Sequence, residues 1–185
     1  DIKEYNRSDV RSLFGMVLQD TWLFNGTIAD NVRYGKLNAT DNEVKEACKA
    51  ASVDHFIKTL PDNYNMVLNE EADNISGGQK QRLSIARAIA KDPEIFVFDD
   101  SFSALDLKTD AALREELAKR TKNKTVIIVA QRISTILDAN QIIVLEEGKV
   151  VGKGTHEELM KDNETYRQIA LSQLSEEELN KKGGE

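Results

Sequence analysis

The residues best suited to chemistry in this sequence are Ser76, Gly77, Gly78 and Gln79, which lie directly before a predicted helix that runs on past Ala88. The first N–H groups of a helix have no intrahelical acceptor, and they lie at the positive end of the helix dipole. A glycine-rich turn at this place can therefore hold a phosphate group. The alternative is an ordinary helix with a glycine-rich entry, which the Ser-Gly-Gly sequence taken alone favours.

Two carboxylates, Asp99 and Asp100, end an apolar run that begins at Ile95. Such a run is typical of a buried strand in a parallel sheet, and these strands present metal ligands at their carboxyl ends. Mg²⁺ prefers oxygen ligands and keeps several waters. The pattern predicts Asp99 as a Mg²⁺ ligand and Asp100 as the base or orienting group for an attacking water. Alternatively, the two acids only cap the following turn.

A glutamine, Gln19, ends the predicted strand Phe14–Leu18, and the loop after it carries Trp22, Leu23 and Phe24. Three large apolar side chains in a row are either part of a core or a contact patch for another protein. The residues themselves leave both interpretations open.

The composition excludes several classes of protein. The chain has 185 residues, of which 31% are charged and 40% hydrophobic, as in globular domains with a sizeable core. Its net charge of −7 argues against a nucleic-acid partner. The single cysteine, Cys48, cannot form an internal disulfide and is interpreted as a small buried hydrophobe. No apolar run approaches the roughly 18 residues of a membrane span.

The elements that must position these residues alternate between strand and helix, which predicts an α/β fold with a mostly parallel sheet. Capping signals predict helix starts after Thr27, Thr40 and Thr155, and the Ser-Gly-Gly turn predicts one after Ser76. Apolar runs predict strands at 14–18, 94–99, 125–130 and 141–145. The last three are expected to be buried, and the last forms a hairpin with 149–152. Gly35 is expected to end the helix that begins after Thr27.

The order of these motifs resembles that of the nucleotide-binding domain of ABC exporters over residues 14 to about 160. Gln19 then matches the Q-loop glutamine, and Ser76–Gln79 the signature motif. Asp99 and Asp100 match the Walker B strand end. The remaining matches are the D-loop (Ser103, Ala104, Leu105 and Asp106), the H-loop position (Gln131) and the acidic residue before the signature (Glu70).

The resemblance implies a P-loop NTPase-like core that is incomplete at its N-terminus and uses ATP and Mg²⁺. Residues 1–19 and 93–172 would form this core, 20–92 a helical subdomain carrying the signature, and 173–185 an acidic, disordered tail. It also implies that Gln19 ligates Mg²⁺ and acts in catalysis. Further implications are a second nucleotide-binding domain as partner and a place at the cytoplasmic face of the plasma membrane. A transmembrane domain would be contacted through Trp22, Leu23, Phe24 and Glu70.

Three departures from the family pattern matter for function. No Gly-x-x-x-x-Gly-Lys-Ser/Thr segment is present in the 185 residues, so the chain is expected to be a fragment that is inactive alone. Its sheet is expected to expose an apolar surface and an unpaired edge. Asp100 stands where exporters usually have glutamate, and Gln131 replaces the expected histidine. Glutamine cannot take up a proton near neutral pH.

These departures lead to one favoured hypothesis and three alternatives. Both substitutions fall in the ATP site of this subunit itself, whereas the intact signature serves the site of its partner. This pattern resembles bacterial heterodimeric exporters, in which one of the two ATP sites is degenerate. The alternatives are a symmetric homodimer that tolerates Asp100 and Gln131, a soluble ABC-type ATPase, and a non-catalytic interaction module of the same shape.

Overall fold

A three-stranded parallel sheet organises the first part of the chain. The computed structural model describes residues 1–174, except the side chains of Ile2 and Leu107. The strands of the sheet are β1 (Phe14–Val17), β4 (Ile95–Asp99) and β5 (Thr125–Val129), in the order β1–β4–β5. Both pairs are parallel. Parallel neighbours need long crossover connections, and the helices of the chain provide them. The α/β prediction is confirmed.

Helices and one short antiparallel ladder surround this sheet. The ladder joins β2 (Gly26–Thr27) to β3 (Val67–Leu68). The helices up to β5 are α1 (Arg7–Ser12), α2 (Ile28–Arg33), α3 (Asp41–Ala50), α4 (Asp54–Thr59), α5 (Gly77–Lys91) and α6 (Leu107–Arg120). Complete capping boxes start α3, as predicted, and α5, where only a helix start was predicted, because the caps Thr40 and Ser76 exchange hydrogen bonds with the third residue of each helix.

One face of the sheet carries the core of the first part. Phe96 and Phe98 point to this face with stacked rings 5.9 Å apart. They belong to the same buried cluster as Leu83, Ile85 and Ala86, the apolar positions that the period of α5 predicts. Burial of this apolar surface is the main stabilising term for the fold.

The opposite face of the sheet is exposed in the described part of the chain. Met16, Ile127 and Val129 are 57%, 47% and 54% exposed. The strand predicted at residues 125–130 is present, but the prediction that it is buried is wrong. β5 is an edge strand, and successive side chains of a strand point to opposite faces, of which only one is packed under the helices. The expected exposed apolar surface is present.

Residues 130–174 belong to a second compact unit, which begins after Val129. It contains the hairpin of β6 (Ile142–Glu146) and β7 (Lys149–Gly154), followed by α7 (His156–Asp162) and α8 (Glu164–Gln173). The predicted hairpin is confirmed, but the prediction that its first strand is buried is wrong, because Ile143 and Leu145 are 56% and 66% exposed. Its turn residues Glu147 and Gly148 both have positive φ, as two-residue hairpin turns require.

The first two residues of the expected disordered tail, Gln173 and Leu174, are ordered. Gln173 ends α8, and Leu174 is only 9% exposed in a cluster with Tyr166. The Gln173 side chain donates to Gln131 O and accepts from Ile133 N, both at 2.9 Å. These contacts order the first two residues of the predicted tail, and residues 175–185 lie outside the described part of the chain. Within the described part, no helix is long and apolar enough to cross a bilayer.

Cys48 is fully buried in α3, which confirms its predicted place in the core. Burial raises the pKa of its thiol from 9.0 to about 12. At pH 8 this lowers the thiolate fraction about a thousandfold. We therefore expect native protein to react with a thiol reagent about a thousand times more slowly than urea-unfolded protein. Equal rates in a stopped-flow thiol assay would contradict the burial of Cys48.

Candidate functional site

The Ser76–Gln79 turn is the N-terminus of α5, and a capping box fixes its conformation. The Gln79 N–H donates to Ser76 Oγ at 3.3 Å, and the Ser76 N–H donates to Gln79 Oε1 at 2.8 Å. Gly77 and Gly78 occupy the first two positions of the helix, where N–H groups lack intrahelical acceptors. The turn therefore has the arrangement that the sequence predicts for a phosphate site.

The two glycines of the turn have different surroundings. A Cβ atom on Gly77 would meet no atom of the described chain within 4 Å. A Cβ on Gly78 would lie 3.3 Å from Ala104 O and 3.8 Å from a methyl carbon of Leu105. Gly77 thus faces open space, whereas Gly78 allows α5 to pack closely against the 103–106 segment.

The 103–106 segment connects β4 to α6 and contacts the turn. Asp106 caps α6 by accepting from the Thr109 N–H at 3.0 Å. Hydrogen bonds from Thr109 hold the pKa of the Asp106 carboxyl below its ordinary value. Leu105 is buried, whereas Ala104 is exposed. The structure therefore brings together two motifs that lie about 25 residues apart in sequence. The backbone of Gly78 packs against the backbone of Ala104.

Asp99 and Asp100 lie where β4 ends, and both are half-buried. The Asp100 backbone has φ +44°, and its N–H donates to Val129 O at 2.9 Å. Its carbonyl accepts from Ser103 Oγ at 2.9 Å. The fully buried Ser101 donates to Val17 O at 2.9 Å and so joins the ends of β1 and β4. This role of Ser101 was not predicted, because its position after two acids is the only signal that the sequence gives.

The residues at these strand ends fit a magnesium site that is completed by other ligands. Val17 lies beside Phe98, so the chain leaves β1 and β4 at the same edge of the sheet. Asp99 and Gln19 follow there and offer carboxylate and amide oxygens, which Mg²⁺ prefers. Within residues 1–174, no group of three or more His, Cys, Asp or Glu side chains could hold a metal ion. Asp99 and Gln19 remain the predicted pair.

The apolar residues after Gln19 separate into core and surface. Leu23 is 1% exposed and belongs to the buried cluster, so the expectation that its side chain contacts a transmembrane partner is not retained. Trp22 is 64% exposed, and its ring lies 5.9 Å from that of the half-buried Phe24. Phe24 in turn packs edge-on against the exposed Tyr34 at 5.3 Å. Tyr34 extends this aromatic surface, although its position in the sequence gave no signal.

Glu70 lies on an exposed turn between β3 and the signature. The residues after it, Glu71 and Ala72, have φ of +64° and +52°, a region that residues other than glycine rarely adopt. Lys80 of α5 donates to Glu71 O at 2.7 Å. The turn that carries Glu70 is therefore tied to the signature helix.

Gln131 lies in the second unit and is exposed. Its backbone carbonyl is held by Gln173 at 2.9 Å. Gln173, a residue of the predicted tail, thus holds the main chain at the predicted H-loop position.

Comparisons with known proteins agree with the arrangement of these motifs. The ABC transporter family matches residues 1–103. An uncharacterized ABC transporter ATP-binding protein of Bacillus subtilis, YfiC, is 42% identical over 94% of this chain and 29% of its own length. The mitochondrial iron-sulfur clusters transporter atm1 of Aspergillus fumigatus is 43% identical over 91% of this chain and 24% of its own length.

A solved structure shows the same fold. A bacterial Atm1-family ABC exporter with ATP bound superimposes with a TM-score of 0.91 and 36% identity, over 95% of this chain and 31% of that one. The chain therefore spans between about a quarter and three-tenths of the length of these proteins.

Proposed function

The chain belongs to the ABC transporter family, and we propose that it is the ATP-binding part of an exporter subunit. It would pair with a second nucleotide-binding domain and couple ATP hydrolysis to transport, at the cytoplasmic face of the plasma membrane. The observation that carries this proposal is the capped Ser76–Gln79 turn, whose Gly77 faces open space and whose Gly78 packs against the 103–106 segment. We propose that a phosphate of ATP bound to a partner chain occupies that space.

Each residue of the turn has a defined part in this proposal. Ser76 Oγ accepts from Gln79, so its own proton can be donated to a phosphate oxygen. The Gly77 and Gly78 N–H groups add two donors at the positive end of α5. Ser103 and Asp106 hold the segment that faces the partner, through the Asp100 turn and the start of α6.

The subunit's own ATP site would use the residues at the strand ends. Asp99 and Gln19 would hold Mg²⁺, which supplies charge neutralisation for the transferred phosphoryl group. Asp100 would orient or deprotonate the attacking water, and Gln131 would hydrogen-bond the γ-phosphate. Because Asp100 is one methylene shorter than glutamate and Gln131 cannot become charged, we propose that this site turns over slowly. The partner would then be a non-identical subunit with a competent site.

The contact with the transmembrane domain would be made by Trp22 and Phe24, with Glu70 as a second point. Trp22 is exposed and Phe24 half-buried, whereas Glu70 lies on a turn tied to α5 through Lys80. An exposed aromatic surface of this kind is typical of a protein contact. The 185-residue chain by itself is not expected to hydrolyse ATP, since it has no P-loop sequence.

The Gly77→Ala substitution tests the proposed function. The new methyl group meets nothing within the chain, so we expect unchanged stability. In the intact transporter it would push the phosphate out of place by about 1 Å, and Mg²⁺-dependent ATP hydrolysis should fall about tenfold or more.

The matched control is Asn42→Ala, at the second position of α3, which starts in the same kind of capping box. It should leave hydrolysis unchanged. Wild-type hydrolysis by a correctly folded Gly77→Ala transporter would contradict the role of the turn. Absence of hydrolysis in the wild-type transporter would contradict the proposed function itself.

A further inference from the structure

The loop between β1 and β2, residues 18–25, has no regular secondary structure. Backbone polar groups in such a loop need partners from elsewhere. Side chains of α2 and α5 supply them at both ends of the loop. None of these side chains was assigned a role by the sequence, and they act on the segment that carries Trp22 and Phe24.

Asn31 of α2 is the centre of this arrangement and is fully buried. Its Oδ1 accepts from the Phe24 N–H at 3.1 Å, and its Nδ2 donates to Phe24 O at 2.9 Å and to Thr27 O at 3.1 Å. One amide side chain therefore holds both backbone groups of Phe24.

Arg87 of α5 joins the same centre with all three of its guanidinium nitrogens. Nε donates to Asn31 O at 2.9 Å, Nη2 to Asn31 Oδ1 at 3.1 Å and Nη1 to Trp22 O at 3.1 Å. The guanidinium carbon also lies 5.7 Å from the ring centroids of both Phe24 and Tyr34. Partial burial lowers the pKa of Arg87 from its ordinary value, but arginine stays charged.

A second residue of α5 holds the beginning of the loop. Gln81 is 4% exposed, and its Oε1 accepts from the Thr21 hydroxyl. Its Nε2 donates to Leu18 O at 3.5 Å. Both ends of the loop are thus attached to the helix whose N-terminus is the Ser76–Gln79 turn.

We propose that Arg87, through Asn31, is a positioning residue that makes the β1–β2 loop and the signature helix move as one body. Arg87 lies eleven residues after Ser76, roughly 16 Å along a continuous helix. A displacement of Trp22 by a transmembrane partner would reach the phosphate-binding turn through this connection. The inference rests on the proposed function for the identity of both sites.

Lysine cannot replace arginine in this role. An ammonium group offers one point of attachment, whereas Arg87 donates from three nitrogens and also lies against the neighbouring rings of Phe24 and Tyr34. Arg87→Lys therefore keeps the charge and removes the connection. Arg82→Lys is the matched control, because Arg82 also lies in α5 and donates to backbone carbonyls, those of Ser52 and Gly78, but does not hold the loop.

The first measurement is hydrogen exchange of the intact transporter, read on the peptide that covers residues 18–28. In Arg87→Lys we expect exchange in this peptide to accelerate about tenfold, because the attachment at Trp22 O and the support of Asn31 are lost. A peptide covering α3 should keep its wild-type rate, and so should the 18–28 peptide in Arg82→Lys. Arg87→Met, which has no donor, should give the same release as Arg87→Lys.

The second measurement is a double-mutant cycle with MgATP as the probe. Arg87→Lys is expected to lower kcat about tenfold and to leave KM for ATP within about twofold. If Arg87 acts through the loop, the fold loss in kcat of the double variant Arg87→Lys, Trp22→Ala should be much smaller than the product of the fold losses of the two single variants. A general loss of folded protein would instead make the two effects multiply.

Wild-type exchange of the 18–28 peptide in both Arg87 variants, or multiplicative effects in the cycle, would overturn this inference. These results differ from a failure of the proposed function, which is the absence of MgATP hydrolysis in the wild-type transporter. In that case the exchange comparison still decides whether Arg87 holds the loop.

Discussion

Replacing Asp100 by glutamate and Gln131 by histidine in the same subunit is expected to raise ATP hydrolysis at that subunit's own site about ten- to a hundredfold. Glutamate extends the carboxylate by one methylene toward the attacking water. Histidine, with a pKa near neutrality, can take up the charge that glutamine cannot. The measurement is steady-state ATP hydrolysis by the intact, reconstituted transporter.

The backbone around Asp100 allows this exchange. The Asp100 N–H is bonded to Val129 O, and its carbonyl accepts from Ser103, and neither bond depends on the side chain. A φ of +44° suits aspartate better than glutamate, so we expect a loss of under ~1 kcal/mol in folding stability. The substitution therefore changes the reach of the carboxylate with little change in the turn that holds it.

Inactivating the partner's ATP site shows whether the added hydrolysis comes from this subunit's own site. Gly77→Ala in the same chain removes the signature that completes the partner's ATP site. In a heterodimer, the remaining turnover comes from this subunit's own site and should rise when Asp100→Glu and Gln131→His are introduced together. In a homodimer, Gly77→Ala weakens both sites, so the protein with all three substitutions should hydrolyse ATP about tenfold or more slowly than the protein with Asp100→Glu and Gln131→His alone, whereas in a heterodimer it should lose only the partner site's share. The experiment thus separates the two assemblies.

Asp99→Glu is the matched control for the chemistry. It is the same chemical change at the neighbouring residue, but a longer side chain there would displace the metal ion that Asp99 is proposed to hold. We expect hydrolysis to fall about tenfold or more. A rise with Asp99→Glu, or a fall with Asp100→Glu, would show that the two carboxylates have been assigned the wrong roles.

Much of the fold could be predicted because its signals are local. The capping boxes at Thr40, Ser76 and Thr155 each lie within four residues, and all three start helices at the expected place. The apolar run before Asp99 likewise marks β4. The motif order was sufficient to identify the family, because its residues keep their spacing along the chain.

The parts that were not predicted depend on contacts between distant residues. Asn31 and Arg87 are 56 positions apart, and no local pattern connects them. Leu23 lies between Trp22 and Phe24 in one apolar run, yet only the folded chain shows that Leu23 is buried. The exposure of β5 follows from its edge position, which an apolar run cannot reveal.

The sequence predicts that Gly35 lies at the end of α2, but it does not predict why a glycine is needed there. The sequence suggests a left-handed cap that ends α2. In the structure α2 ends at Arg33 with Tyr34 as its cap, and Gly35 is not among the residues with positive φ. A Cβ at Gly35 would instead lie 2.1 Å from Arg87 O and 3.3 Å from Lys91 N. Gly35 therefore allows α2 and α5 to approach each other.

Gly35→Ala is accordingly expected to lower the free energy of unfolding by about 2–3 kcal/mol. A backbone carbonyl cannot rotate away as a flexible side chain can, so the helices must separate by about 1 Å or more. The gain from a less flexible unfolded chain, ~0.4–1 kcal/mol, offsets only part of this loss. Urea unfolding, followed by circular dichroism and by the fluorescence of Trp22, the single tryptophan, measures the change.

Gly77→Ala is the control for Gly35→Ala, since its new methyl group meets no atom within 4 Å and should leave the urea midpoint nearly unchanged. The two substitutions are the same chemical change with different expected consequences. Gly35→Ala should lower the stability of the fold, whereas Gly77→Ala should lower ATP hydrolysis. Because Gly35 lies against the backbone of Arg87, separating α2 from α5 should also release the 18–28 peptide in hydrogen exchange. Equal stability of the two variants would show that α2 can move without cost, and the connection from Trp22 to the signature would then lack a rigid support.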